Sequence, residues 1–163
     1  MKMASAIIVS LTLGGCASTS VLDVASDTIQ VSTSAAPVCG QAGAQAVAAK
    51  RAAIETLKRG FDSYVITDGK AENNVRVVGN TPVYANTQTN GTVNGYGNYA
   101  TYNAQSNTTF SGGQPIIGGS HDQALLIHMF HQGEAGSDRA IDARRVLGPD
   151  WQKLVKSSAV GTC

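Results

Sequence analysis

Charged residues are scarce in this sequence, and the two signs balance. Only 14% of the 163 residues are charged, and the formal net charge is +1. Residues 1–15 hold one lysine and no acid, so the remaining 148 residues carry 11 basic and 11 acidic side chains. A chain without a basic excess has little with which to neutralise a phosphate backbone, which argues against a nucleic-acid partner.

Long apolar runs are also missing. The apolar stretch near the amino terminus, residues 3–13, has eleven residues and is interrupted by two serines and a threonine. A helix needs about 20 residues to cross a hydrocarbon core of about 30 Å, so this stretch is too short to span a membrane. Because Lys2 precedes it, the stretch is typical of the core of a secretory signal peptide.

The predicted signal peptide ends in Leu-Gly-Gly-Cys at residues 13–16. The order of charge, apolar core, small residues and cysteine resembles the lipobox of bacterial lipoproteins. This resemblance implies cleavage before Cys16 and acylation of its sulfur and new amino group, with palmitate-type chains that anchor the protein to a membrane. Since Ala17 and Ser18 follow rather than aspartate, it further implies the periplasmic face of the outer membrane, not the inner membrane. The alternative is an ordinary secretory signal with an incidental cysteine.

Cysteine is rare, with three in the whole chain. If Cys16 is acylated, two cysteines remain, Cys39 and Cys163. Because the periplasm is oxidising, we expect a disulfide bond between them. This bond would close a loop of more than 100 residues and stabilise the fold by roughly 4 to 5 kcal/mol. Two free thiols or an intermolecular bridge are the alternatives. Neither cysteine belongs to a Cys-x-x-Cys pair, which argues against a redox enzyme.

Several segments have the alternation or the β-branched composition of strands. Polar and apolar residues alternate over residues 27–34, which predicts a half-buried first strand. Residues 61–67 and 74–78 are both β-rich, and the polar turn at residues 68–69 between them predicts an antiparallel hairpin. The apolar run 123–130 lies between glycine-containing segments and is predicted to be a further strand.

Helical patterns occur twice. The alanine-rich segment 40–59 has its larger apolar residues on one stripe, which predicts a helix that packs against a sheet. On the other side of this helix Glu55 stands between two arginines, and we expect it to be solvated. Ser137 is predicted to cap a second helix over residues 138–147, followed by a further helical turn that carries Trp151.

These elements predict an α+β fold. Strand, helix and two strands come first, a long polar hairpin or loop and a further strand follow, and the sheet is packed by the alanine-rich helix with helices at the carboxyl end. The predicted organisation is a lipoprotein signal peptide at 1–15, a membrane tether at 16–26 and one domain at 27–163. This domain carries an insertion rich in Gly, Asn, Thr and Tyr at about 80–120.

No charged residue occurs between residues 77 and 120. A long polar hairpin, with arms at residues 82–93 and 99–110, would turn at Asn94-Gly95 or within residues 95–98. The alternative is a flexible loop, because glycine and asparagine weaken strands and no apolar face was recognised. As a hairpin, the segment would expose uncharged strand edges, and it is therefore our candidate interaction surface.

Histidines are the only candidates for chemistry, at His121, His128 and His131. On a helix, His128 and His131 would share a face at a spacing that suits a metal, whereas on a strand they would point to opposite faces. Our strand prediction for this run therefore argues against a metal site. We predict no catalytic residue, no metal and no cofactor.

Three further segments resemble a group of small cell-envelope lipoproteins of alphaproteobacteria. They are residues 52–66, with Leu-Lys-Arg-Gly-Phe-Asp-Ser-Tyr-Val-Ile at their end, residues 73–79, with Asn-Asn-Val-Arg-Val-Val-Gly, and residues 147–151, with Leu-Gly-Pro-Asp-Trp. The resemblance spans most of the mature chain and implies a lipoprotein of the cell envelope. No catalytic residue carries over from that group.

Together these patterns predict a membrane-anchored periplasmic lipoprotein with a structural or protein-interaction role. Its partners would be the membrane, through the lipid anchor, and an envelope protein, and it could associate with itself through the uncharged segment. The alternative is a metal-dependent or hydrolytic envelope enzyme that uses His121, His128 and His131.

The lipobox leads to a first prediction about the mature amino terminus. Mass spectrometry of the protein from membranes should find a first peptide that begins at Cys16 and carries acyl chains. An unmodified Cys16 thiol would contradict this prediction. It would also contradict the predicted location at the outer membrane and the membrane as a partner, because both depend on acylation.

Overall fold

The computed structural model describes residues 17–160. The predicted signal peptide, Cys16 and Cys163 lie outside these residues. Two compact units divide the chain, one with the residues up to Val75 and from Gly119 onward, the other Arg76–Gly118. No helix within residues 17–160 is long and apolar enough to cross a membrane.

The strands are β1 (Ala17–Asp23), β2 (Thr28–Ala35), β3 (Ser63–Asn73), β4 (Arg76–Asn80), β5 (Tyr84–Tyr96), β6 (Tyr99–Ser111), β7 (Pro115–Gly118), β8 (His121–Phe130) and β9 (Ile141–Asp142). The helices are α1 (Gly40–Lys58), α2 (Ala143–Leu147) and α3 (Trp151–Ser157).

The first unit is a five-stranded antiparallel sheet with helices on one face, so the predicted α+β class is confirmed. Its strand order is β1-β2-β8-β3-β9. Every second residue of β2, and of β8 from Gln123 onward, is buried, because these side chains point towards α1. The predicted first strand, the alanine-rich helix and the strand at 123–130 are all present. The core consists of Ile29, Val31, Ala48, Ala52, Ala53, Ile54, Tyr64, Leu125, Ile127, Met129, Ala143 and Leu147.

Glu55 is buried, so the prediction that it is solvated is wrong. Only 6% of this residue is exposed. Its carboxylate accepts from the guanidinium groups of Arg51, at 2.8 Å, and Arg59, and Arg59 also pairs with Asp23 of β1 at 2.6 Å. The two positive guanidinium groups balance the negative charge of the carboxylate. A buried carboxylate requires such pairing, and the aliphatic parts of arginine side chains can be buried beside it.

The predicted hairpin between residues 61–67 and 74–78 is also wrong. Strand β3 continues through Asp68 and Gly69 and pairs with β8 along its whole length, with a bulge between Ile66 and Asp68. Strand β4 pairs with β7 instead. The apolar strand β8 offers β3 a long ladder of hydrogen bonds and buried neighbours, and this outweighs the local turn preference of Asp-Gly.

Two boundaries differ from the sequence prediction. Residues 17–23, predicted to be part of a tether, form the edge strand β1, because Val21 pairs with Val31 and packs against the core. The helix predicted over residues 138–147 occupies only Ala143–Leu147. Its cap is Asp142, whose side chain accepts from the Arg145 amide, and the preceding residue Ile141 pairs with Tyr64 at the sheet edge.

The second unit contains two antiparallel strand pairs. Strand β4 pairs with β7, and β5 pairs with β6 over 13 residues each, from Tyr84 opposite Ser111 to Tyr96 opposite Tyr99. The polar hairpin is thus confirmed and the flexible loop is not. It turns at Gly97 and Asn98, and Gly97 has φ 60°, the positive value that a type II′ turn needs at its first position. We call the β5–β6 hairpin the ribbon.

Burial of Tyr64 gives the fold an alkaline pH dependence. The side chain is 1% exposed, and burial raises its pKa to about 12. The unfolded chain releases this proton near pH 10, about two pH units before the folded chain does, so the free energy of unfolding falls as pH rises from 10 to 12. In urea unfolding, wild type should lose about 1 kcal/mol more than Tyr64→Phe between roughly pH 9 and 11. Equal losses in the two proteins would contradict this assignment.

Buried Glu55 should matter more than an exposed acid. Glu55→Gln leaves two guanidinium groups without their shared carboxylate, and we expect the free energy of unfolding to fall by about 2 kcal/mol. The matched control is Glu72→Gln, since Glu72 pairs with Lys70 in solvent, and here we expect less than about 1 kcal/mol. Urea unfolding at neutral pH measures both. A Glu55 effect no larger than the Glu72 effect would show that burial adds nothing.

Candidate functional site

The three histidines occupy different environments. His121 starts β8, and its Nδ1 atom is buried without a hydrogen-bond partner. His128 is near the other end of β8, roughly 23 Å along the strand, with Nδ1 3.0 Å from the Thr28 hydroxyl oxygen. His131 follows the strand and stacks on Phe61 at 4.4 Å between ring centroids.

These positions do not bring the imidazoles together. No group of three or more His, Cys, Asp or Glu side chains within residues 17–160 is arranged to hold a metal ion. The helical spacing of His128 and His131 does not arise, because His128 lies on β8 and His131 beyond its end. Each of the two packs against an aromatic ring, Phe130 in the case of His128.

Asp122 accepts hydrogen bonds from three neutral side chains. The Ser34 hydroxyl, the Asn74 amide at 2.7 Å and the Ser120 hydroxyl at 3.1 Å donate to its carboxylate, and these hydrogen bonds lower the pKa of Asp122. The donors stabilise the ionised form. Asp122 is therefore an acceptor on the open face of the sheet.

A polar groove of about 440 Å³ surrounds Asp122 on this open face. Four serines from β1 and β2 line it in two facing pairs, since Ser18 lies opposite Ser34 and Ser20 opposite Ser32. Lys70 and Glu72 of β3 complete the charged part of the lining. The groove combines hydroxyl groups with charges of both signs.

The ribbon is an extended exposed surface of unusual composition. Every residue of β5 and β6 is exposed, including Tyr96 at 93% and Tyr99 at 84%. Side chains alternate between its two faces, and residues directly opposite each other share a face. With 13 residues in each strand, the ribbon extends for roughly 40 Å.

The two faces of the ribbon share threonine, serine and tyrosine but differ in all their other residue types. All asparagine and glutamine residues of β5 and β6 lie on one face, which we call the amide face: Asn86, Gln88, Asn90, Asn94, Asn103, Gln105 and Asn107. All alanine, glycine, valine and phenylalanine residues lie on the other, which we call the small-residue face: Ala85, Gly91, Val93, Gly95, Ala100, Ala104 and Phe110.

Cross-strand contacts order the small-residue face. The ring of Tyr102 lies directly over Gly91, where an added Cβ atom would be 2.7 Å from a ring carbon. Next to it, hydroxyl pairs join Thr87 to Thr108 at 2.9 Å and Thr89 to Ser106 at 2.8 Å. An aromatic ring over a glycine and paired hydroxyls both stabilise an isolated hairpin.

This segregation is visible in the sequence, because amide and small residues alternate along each strand. Our sequence prediction missed it. Hydropathy alone does not reveal it, because threonine and tyrosine occur on both faces and neither face is consistently apolar. The correct signal is the position of amide side chains, which fall on even residue numbers before the turn and on odd ones after it. Their parity reverses across the two-residue loop, as a two-residue hairpin requires.

The predicted lipidation and disulfide residues are only partly described. Cys39 ends the short 3₁₀ helix Pro37–Cys39 that precedes α1. Cys16 and Cys163 lie outside residues 17–160, so acylation of Cys16 and pairing of Cys39 with Cys163 remain predictions.

Comparison with known proteins adds no relative to this picture. The similarity to envelope lipoproteins of alphaproteobacteria therefore stays a prediction. No protein-family model, no curated protein and no solved structure matches this chain.

Proposed function

We propose that this protein is a lipid-anchored lipoprotein of the cell envelope whose role is to bind other proteins through the ribbon. It would be held by Cys16 at the periplasmic face of the outer membrane. The observation that carries the proposal is the ribbon itself: 13 paired residues per strand, all exposed, without a charge on either face.

Strand edges make the ribbon suited to protein contacts. Within the second unit, β5 and β6 pair only with each other, so the outer edge of each strand keeps backbone donors and acceptors available. Soluble proteins usually protect such edges with charged residues, with proline or with a short strand length. Strands β5 and β6 have none of these features, and an extended partner segment can add to either edge.

Stability also favours a bound ribbon. An isolated two-stranded hairpin is marginal in water, because it buries little apolar surface. The ribbon leaves Phe110 at 70% and Tyr102 at 65% exposure. A partner that covers the small-residue face would remove these rings from water and stabilise the hairpin.

Anchoring at Cys16 would place one end of the sheet at the bilayer. Strand β1 begins at Ala17, the residue after the predicted acylation site, so no spacer would separate the sheet from the membrane. Across the sheet, Ala17 lies in one row with Ala35, His121 and Asn73. The chain leaves for the second unit just after Asn73 and returns just before His121. This end of the sheet is therefore the one from which the connections to the ribbon start.

The alternative role, a metal-dependent or hydrolytic envelope enzyme, would need the histidines to act together. His121 and His128 are separated by most of the length of β8, and His131 packs on Phe61. We find no observation that favours this role over protein binding.

Removing the ribbon should remove protein partners and leave the first unit folded. We expect full-length tagged protein from membranes to retain envelope proteins that a variant lacking residues 82–110 does not retain. An unchanged partner list would show that the ribbon does not bind other envelope proteins.

A shortened ribbon provides the matched control for this experiment. A variant lacking residues 91–96 and 99–104 keeps the Gly97-Asn98 turn, flanked by Asn90 and Gln105, which already face each other. Removing an even number of rows preserves the hydrogen-bonding pattern at the turn. Both variants should unfold at the same urea concentration as wild type when followed by the fluorescence of Trp151, which packs against the core of the first unit.

A further inference from the structure

Two pairs of side chains on the amide face of β6 are symmetric about the middle of the strand. Counting outward from Gln105, the amide face has Asn103 and Asn107 at equal distances, and then Thr101 and Thr109. A twofold axis through Gln105 would therefore align each of these side chains with its own kind. Antiparallel pairing of two identical edges requires this type of symmetry, because residue i then contacts residue j and j contacts i.

The small-residue face of β6 is complementary under the same axis. Phe110 would lie opposite Ala100, and Tyr102 opposite Thr108, while Ala104 would face Ser106. Each aromatic ring thus meets a smaller side chain, which is the combination that packs without voids or clashes. Between Thr101 and Thr109 the amide face matches like with like, with Tyr99 opposite Ser111 at the strand ends, and on the small-residue face each ring meets a smaller side chain.

The amide face of β5 is as symmetric as that of β6, and the two edges differ on the small-residue face. About the midpoint Asn90, Tyr84 would face Tyr96 and Asn86 would face Asn94, while Gln88 would face Thr92. The small-residue face of β5 would pair Thr87 with Val93, Thr89 with Gly91 and Ala85 with Gly95, and it carries no ring. On this face symmetric pairing would therefore bury more apolar surface at β6, where Tyr102 and Phe110 each meet a partner, than at β5.

Charge also favours a second copy of this chain as the occupant of the β6 edge. A different protein is commonly selected by complementary charge, and the ribbon has no charge with which to select one. Identical copies do not repel each other here, because no charged residue lies between residues 77 and 120. Pairing over 13 residues would add about twelve backbone hydrogen bonds between the copies.

We propose that two copies of this protein pair antiparallel through their β6 edges, with a twofold axis at Gln105, and so form a continuous four-stranded sheet in the order β5-β6-β6-β5. This inference rests on the proposed role of the ribbon in protein binding and names the partner as a second copy. The amide faces of both copies then form one surface, and the small-residue faces form the other.

Cysteine cross-linking of the full chain in the bacterial envelope tests the axis. In the proposed pair the two Gln105 Cα atoms lie about 5 Å apart, within the range of a disulfide. Gln105→Cys should therefore give a disulfide-linked dimer on mild oxidation, at least several-fold above wild type on a non-reducing gel. Asn90→Cys is the matched control, since Asn90 faces Gln105 across the ribbon but would lie about 14 Å from its symmetry mate.

Register is tested by two further variants. Asn103→Cys and Asn107→Cys, produced together with tags of different size, should cross-link to each other, because the axis brings Asn103 of one copy opposite Asn107 of the other. Asn103→Cys produced alone should stay at background, since the two Asn103 residues would be about 13 Å apart along the strands. Strong cross-linking of Asn103→Cys alone would indicate parallel stacking and overturn the proposal.

The remaining outcomes are equally decisive. Equal cross-linking of Gln105→Cys and Asn90→Cys, cross-linking of Asn90→Cys only, or no cross-linking at all would each overturn pairing through β6. If cross-linking is absent but the variant lacking residues 82–110 still loses partners, the ribbon binds proteins other than a second copy of this chain. Specific Gln105 cross-linking with an unchanged partner list would keep the pairing and remove other envelope proteins from the proposed role.

Discussion

Strand β8 is the element on which the first unit depends. Its residues Leu125, Ile127 and Met129 are buried against the helix face, while both of its edges are hydrogen-bonded, to β2 on one side and to β3 on the other. These pairings join segments about 60 and about 100 residues apart, so the sheet closes only after most of the chain is available. The loss of chain entropy on closing such loops is offset by the burial that follows.

The same pairing explains why the second unit begins where it does. Strand β3 follows β8 to Asn73, and β8 begins at His121, so everything between them leaves the sheet from one end. The local Asp-Gly signal at residues 68–69 would have turned the chain earlier, and it is overridden because β8 offers a continuous partner. The segment between β3 and β8 has one charged residue, Arg76, and none of its residues is buried, and it is thus organised as two antiparallel pairs, with β5–β6 enclosed along the chain by β4–β7.

The first unit and the ribbon differ in how far their side chains are buried. The first buries apolar side chains and even a carboxylate, Glu55, between arginine side chains. The ribbon exposes every side chain and sorts them into an amide face and a small-residue face. Within residues 17–160 no group of three or more His, Cys, Asp or Glu side chains is arranged to hold a metal ion, and the histidines lie apart. Protein contact through the strand edges of the ribbon is the role that we propose.

The sequence by itself determined the local elements. Alternation around Ile29 and Val31, the alanine-rich stripe of α1 and the turn-rich segment around Gly97 each depend on a short period or on a single backbone preference, and the structure contains all three. Only the tertiary structure decided the partners of β3, the place of residues 17–23 in the sheet, the burial of Glu55 and the separation of His121 from His128. These features depend on contacts between residues distant in the chain, whose free energies compete with local preferences and are not encoded in any single segment.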